Sequence, residues 1–309
     1  MKSCLSQTFE MMGTHIDVQL VDENAVEKMN QVHELLLRYN LRFSANQADS
    51  ELNQVNDHAG IGFISVHPEL FELIKIGKQE SLAKPSLLDI AIGPITQAWH
   101  IGFSDAKQPS DALLLDLLEL CHPQDILLNA FDSSVFLSKK GMKIDLGALA
   151  KGYIADRIFD LVKPECGLIN LGGNVLVCGN HPQHSDGFWV IGIQDPKLPR
   201  GNHVGILKIK DASVVTSGIY ERTFEFNGKV FHHLFSAQTG YPIHSEMASL
   251  TIVSKTSLTC EIWTSRLFGL DVGDALREIN QQKTIEGIII TQSGQVYCSD
   301  RLKANFEIL

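Results

Sequence analysis

Between Lys143 and Tyr153 the chain reads KIDLGALAKGY: an apolar, strand-like entry, a break at Gly147 and a helical restart with Lys151 in its first turns. A strand running into a helix N-terminus leaves unpaired N–H groups and the positive end of the helix dipole. Gly147 lets the backbone approach a ligand closely and Lys151 adds a full cation, an arrangement suited to a phosphate or pyrophosphate. The segment is not a P-loop, because GxxxxGK[ST] is absent, and it lacks the three-glycine spacing of the dinucleotide fingerprint. Alone, GxxxKG also describes an ordinary strand-to-helix corner with a solvated lysine. Asp145, separated from Gly147 by Leu146 alone, has two roles open to it, a helix-capping carboxylate or a ligand-facing one.

Three more glycine-punctuated segments follow: GLINLGGNVLVCGN from Gly167, VVTSGIYER from Val214 and HHLFSAQTGYP from His232. With MGTHIDVQL from Met12, RFSANQADSELNQVN from Arg42, LLDIAIGPITQAWHIG from Leu87 and a helical stretch near Glu261, they form a series in a fixed order over nearly the whole chain. The series resembles the ApbE family, flavin transferases that take FMN from FAD and attach it to a threonine of a target flavoprotein. Motifs in this order are far more specific than any one of them.

The resemblance implies a magnesium-dependent reaction on FAD, with an acceptor flavoprotein as partner and AMP as product. It makes the Ala148 carbonyl a metal ligand and turns Lys151 toward the flavin or its phosphates. Glu261 and Ser265, four apart on a predicted helix, share a face and offer two oxygen ligands to a hard cation; the family usually has Asp and Thr there. A shifted helix would bring in Thr264 instead. His233 matches the histidine of the family motif H-I-x-D-P-x-T-G and is the expected base or flavin-positioning group. In that motif Ser236-Ala237 replace the usual Asp-Pro, which removes a carboxylate and a rigid residue from the loop.

For the adenine and flavin ends, the resemblance points to Met12, Phe43, Asp89, Thr216, Ser217 and Gly218, with Gly172 and Gly173 near the nucleotide. Met12 and Phe43 are equally well core residues. Asp89 sits inside an apolar stretch, where a carboxylate needs hydrogen-bond donors such as a ring or ribose. The departures leave two other activities open: FAD binding without transfer, and metal-dependent FAD pyrophosphatase.

Composition limits the rest. The chain has 309 residues, 44% hydrophobic and 20% charged, enough for a large core in one domain over 1–309, with a soft division into two intimate lobes near 140–165. A net charge of -10 speaks against nucleic acid or an anionic membrane as the main partner. The six cysteines show neither a zinc spacing nor a disulfide framework. No apolar run reaches the length of a membrane span, and no signal-like stretch precedes Cys4, so a cytoplasmic location is expected unless an exported form was trimmed.

The elements that must hold these residues alternate along the chain. Apolar residues at Val26, Met29, Leu36 and Tyr39 predict a helix over 24–41, and others are predicted at 68–77, 110–120, 148–162 and 257–270. Strands are predicted at 14–20, 168–171, 188–194, 205–209 and 248–253. Hairpins are predicted around Asn227-Gly228 and Ser293-Gly294. Hairpins outnumber strand-helix-strand units, so the expected class is α+β with largely antiparallel sheets flanked by helices, an ApbE-like fold by resemblance.

Overall fold

Strict alternation builds the first internal strand: in Thr14–Asp22, Ile16, Val18 and Leu20 are fully buried while their neighbours are partly exposed. The computed structural model describes residues 3–309. In it, the strands Ser3–Met11, Thr14–Asp22, Cys166–Leu171, Asn174–Cys178, Ala212–Gly218, Met247–Ser254, Ile285–Thr291 and Val296–Cys298 form one sheet. Their spatial order is their chain order, and every neighbouring pair is antiparallel. Met247–Ser254 is buried along its whole length because both faces are covered. One side packs on the helices Ser257–Leu267 and Val272–Gln281, the other on a cluster containing Trp189, Leu207 and Ile209.

Apart from the C-terminal strand Phe306–Ile308, the remaining helices and strands are inserted between neighbouring strands of this sheet. The first insertion, 23–165, holds the helices Ala25–Phe43, Glu51–Asp57, Pro68–Leu82, Gly93–Trp99, Asp111–Leu118 and Ala150–Val162 and a small antiparallel sheet. The second holds Trp189–Gln194 and His203–Ile209, which pair with the C-terminal strand Phe306–Ile308. The third holds the hairpin Thr223–Phe226 and Lys229–His232, turned at Asn227 and Gly228, both with positive φ, as the Asn-Gly signal predicts. The class is α+β, and all strand pairs among the described residues are antiparallel.

Three local expectations are corrected. Residues 143–146 form no strand and Gly147 begins a turn: Asn56 clamps Ile144 through both its N–H (2.7 Å) and its carbonyl (3.0 Å), and the Asp145 N–H donates to the Ile90 carbonyl (2.9 Å). Val26 is 65% exposed, because the buried stripe of its helix runs through Ala25, Met29, Val32, Leu35, Leu36 and Tyr39. The helices Glu51–Asp57, Gly93–Trp99 and Val272–Gln281 were not anticipated. Among the described residues no helix is long and apolar enough to cross a membrane.

Candidate active site

Two helices meet at a glycine. Gly152 in Ala150–Val162 lies so close to Ser257–Leu267 that an added Cβ would stand 2.7 Å from the Ser257 carbonyl oxygen and 2.8 Å from Glu261 Cγ. Asp156, one turn further on, fixes the contact: its two carboxylate oxygens accept the N–H groups of Ser257 (2.7 Å) and Leu258 (2.9 Å). These are orphan donors of a helix start. Burial pushes the Asp156 carboxyl up to about 6, against the pull of those bonds.

The approach brings Lys151 Nζ to 3.0 Å from Glu261 Oε1. The Glu261 side chain is 4% exposed, the lysine 35%. The same Oε1 accepts from Asn174 Nδ2 at 2.9 Å, and Ser257 Oγ donates to Asn174 Oδ1. One carboxylate oxygen is thus held by two donors, while Oε2 has no protein partner among the described residues. Thr264 is fully buried, its hydroxyl donating to the Glu261 carbonyl (3.1 Å), so the shifted register is excluded and Ser265 is the residue that reaches the cavity. Lys151, expected to face the flavin or its phosphates, lines the cavity while paired with Glu261.

Asp145 does not cap the helix, whose N-cap Leu149 has no side-chain bond. Its Oδ1 accepts the Gly147 N–H (2.8 Å) and its Oδ2 the Thr96 hydroxyl (2.9 Å), which ties the turn to the helix Gly93–Trp99. No hydrogen bond to the Ala148 carbonyl forms among the described residues.

All the site residues expected from the sequence line one cavity of about 1250 Å³. This exceeds the ~300–1,000 Å³ of an ordinary small-molecule pocket, leaving room for a dinucleotide and a second reactant. Met12 reaches it from a two-residue hairpin turn in which both Met12 (φ 56°) and Gly13 (φ 69°) are left-handed, an uncommon conformation for methionine. Phe43 lines it while packing on Tyr39 (5.1 Å) and Tyr153 (5.5 Å), so it is a core residue as well. Thr216 is bonded to Thr251 across the sheet at 2.8 Å, with Ser217 and Gly218 beside it. Gly172 and Gly173, both with positive φ, form the turn before Asn174.

Asp89 accepts the Ala91 N–H (2.7 Å), and burial pushes its carboxyl up to about 7. His233 contacts the Arg222 carbonyl through Nδ1 at 3.4 Å; burial first, then the nearby Arg222 charge, lowers the imidazole to about 4, with Lys151 adding to the effect. Its neighbour His232 is used structurally, accepting the Leu234 N–H and bonding the Ile243 carbonyl.

The loop with the Ser236-Ala237 departure is firmly held. Ser236 Oγ accepts the Gln238 N–H (3.2 Å), the short-range bond an aspartate would make. Fully buried Trp99 donates to the Gly240 carbonyl (2.8 Å) and packs on Phe231, Phe235 and Tyr241. Sequence reasoning missed Asn174, Asp156, Thr96 and Gly152. An Asn directly after Gly-Gly, and an Asp five residues after Lys151, were the available signals.

The model of the ApbE family matches residues 12–289. A FAD:protein FMN transferase of Klebsiella pneumoniae (strain 342) is 37% identical over 302 residues, which are 97% of this chain and 93% of that protein. Another of Treponema pallidum (strain Nichols) is 29% identical over 285 residues, 88% and 79% of the two chains. The crystal structure of the ApbE protein from Thermotoga maritima has a TM-score of 0.89 at 24% identity, covering 98% of this chain and 99% of that one. The apo form of the Pseudomonas stutzeri flavinyl transferase ApbE has a TM-score of 0.83 at 21% identity over 98% and 97%. Those two likenesses establish the fold. The family match and the Klebsiella relative carry more, and the chain belongs to the ApbE family.

Proposed function

We propose that this chain moves FMN from FAD to a threonine hydroxyl of an acceptor flavoprotein, releasing AMP, with Mg2+ as the metal. The observation that carries the reading is the Lys151–Glu261 pair at the wall of a dinucleotide-sized cavity, in a chain whose relatives are named FAD:protein FMN transferases. The threonine oxygen attacks the FMN-side phosphorus, the bond from that phosphorus to the bridging oxygen breaks, and AMP leaves. Lys151 is placed to neutralise phosphate oxygens, the main contribution in phosphoryl transfer.

His233 stays neutral at physiological pH because burial and two cations disfavour its charged form. With Nδ1 turned to the Arg222 carbonyl, Nε2 is left to accept the hydroxyl proton. A loose phosphoryl transition state asks little of a base, so a weakly basic imidazole suffices.

The residues present fit a hard cation. Among the described residues no three His, Cys, Asp or Glu are grouped to hold a metal. The available set is the free oxygen of Glu261, the Ser265 hydroxyl and the Ala148 carbonyl, on three residues that line the cavity. One carboxylate and two neutral oxygens suit Mg2+, which takes the rest of its octahedron from phosphates and water. When bound it would supply charge to the transferred and departing phosphates.

The test mixes the protein, FAD, Mg2+ and a flavoprotein carrying the family's acceptor threonine. Covalent fluorescent flavin on the acceptor and stoichiometric AMP are expected. Free FMN and AMP without labelling would select a pyrophosphatase, and bound FAD without AMP a flavin-binding protein.

A further inference from the structure

The strand Trp189–Gln194 ends its three-stranded sheet: it pairs with His203–Ile209 on one side and with no strand on the other. Among the described residues, no backbone group of 190–193 bonds anything beyond that partner strand. Its sequence, WVIGIQ, has no charge and no proline, the devices that usually blunt an open edge. Trp189 and Ile193 bury their side chains (3% and 2% exposed) while Val190 faces outward at 44%. Val190, Ile191 and Gly192, none of them fully buried, line the cavity, so the open edge borders it.

The edge leads to the reacting end of the site. Gln194 Nε2 donates to the Leu198 (3.1 Å) and Pro199 (3.2 Å) carbonyls, Arg200 pairs with Glu221, and the adjacent Arg222 carbonyl meets His233. An uncharged edge exposed in a concave wall and running toward the base fits one occupant better than others: an extended polypeptide that must bring a hydroxyl to that point.

We propose that the threonine-bearing segment of the acceptor docks as an added strand on the free edge of Trp189–Gln194. Main-chain hydrogen bonds supply the affinity, and the segment's course toward His233 delivers the hydroxyl. This rests on the transferase reading, and the experiment separates the two.

Hydrogen exchange is followed at the amides of residues 190–193 in the FAD- and Mg2+-loaded full chain, with and without the acceptor flavoprotein. Alternate amides of an antiparallel strand point outward. We expect those to be protected at least tenfold by the acceptor, and Val190→Lys and Gly192→Pro each to raise the acceptor KM at least tenfold with FAD affinity unchanged. Unaltered exchange on acceptor binding, or an unchanged acceptor KM in a variant that melts like the wild type, overturns the docking proposal. Protection already present without acceptor and lost on dilution would assign the edge to a second copy, which also overturns it. Failure of the wild type to label the acceptor at all refutes the transferase reading instead.

Discussion

Replacing Gly152 by alanine tests whether the helix contact sets the site. The added methyl would lie 2.7 Å from the Ser257 carbonyl and 2.8 Å from both Glu261 Cγ and Leu258 Cα. Two of those three atoms are backbone, so the helices must part by about 0.7 Å to reach ordinary van der Waals contact. Overpacking of this kind costs about 1–3 kcal/mol, while alanine returns about 1 kcal/mol of helix propensity. A net loss of up to about 2 kcal/mol lowers Tm by up to roughly 3 °C in a chain of this size. The catalytic loss should be larger, on the order of 10²-fold in kcat, because separation of the helices misplaces Lys151 and Glu261 together. Calorimetry and single-turnover transfer from FAD check the two numbers. An alanine variant that melts above the wild type, with the propensity gain unopposed and turnover intact, would refute the reasoning.

Three further outcomes follow from the wall of the cavity. Asp89 has a folded pKa of about 7, above its ordinary value, so its contribution to stability is full at low pH and is lost as pH rises through 7. Asp89→Asn should flatten that slope and stabilise the ligand-free protein at pH 8 by about 1–2 kcal/mol after allowance for solvent screening, read by urea unfolding. His233 has the opposite sign: its folded pKa is lowered to about 4, so the stability it contributes is present above pH 6.5 and lost as pH falls toward 4. Its transfer role should therefore survive to pH 5, and a pH–rate profile with an acid limb near 6.5 would remove it as the base. Ser236→Ala should cost about 0.5–1 kcal/mol through the lost turn bond, and Ser236→Asp should restore it, as chemical denaturation would show.

The long periodic helices and the Asn-Gly hairpin were readable because their signals are local: Pro68 at a helix start, Pro164 after a helix end, Asn227-Gly228 between apolar runs. The edge strand Ser3–Met11 was not, since only Phe9 of its residues is buried and no alternation survives. Gly93–Trp99 hid behind a glycine and a proline that read as loop but occupy its first turn. Val272–Gln281 was readable in principle from the Asp271 cap. For the site, motif order found residues that do line one cavity, yet the Lys151–Glu261 bond joins positions 110 apart in the chain. Nothing local announces that Asn174 shares Glu261 with a lysine, or that Gly152 is small because another helix's carbonyl lies against it.

The strand order of the large sheet bears on how such a protein tolerates change. Each strand lies beside the next one in the chain, and Lys151, Glu261 and His233 lie in segments strung between strands or just after them. The entropy of closing a connection grows only logarithmically, so even a sixfold lengthening costs about 1.6 kcal/mol. Segments that bear chemistry can therefore grow, shrink or be exchanged with little penalty to strand register. The scaffold is in effect a frame with interchangeable panels, and with the acceptor docked as proposed, retargeting to a new one would call for remodelling of a single panel, 179–211.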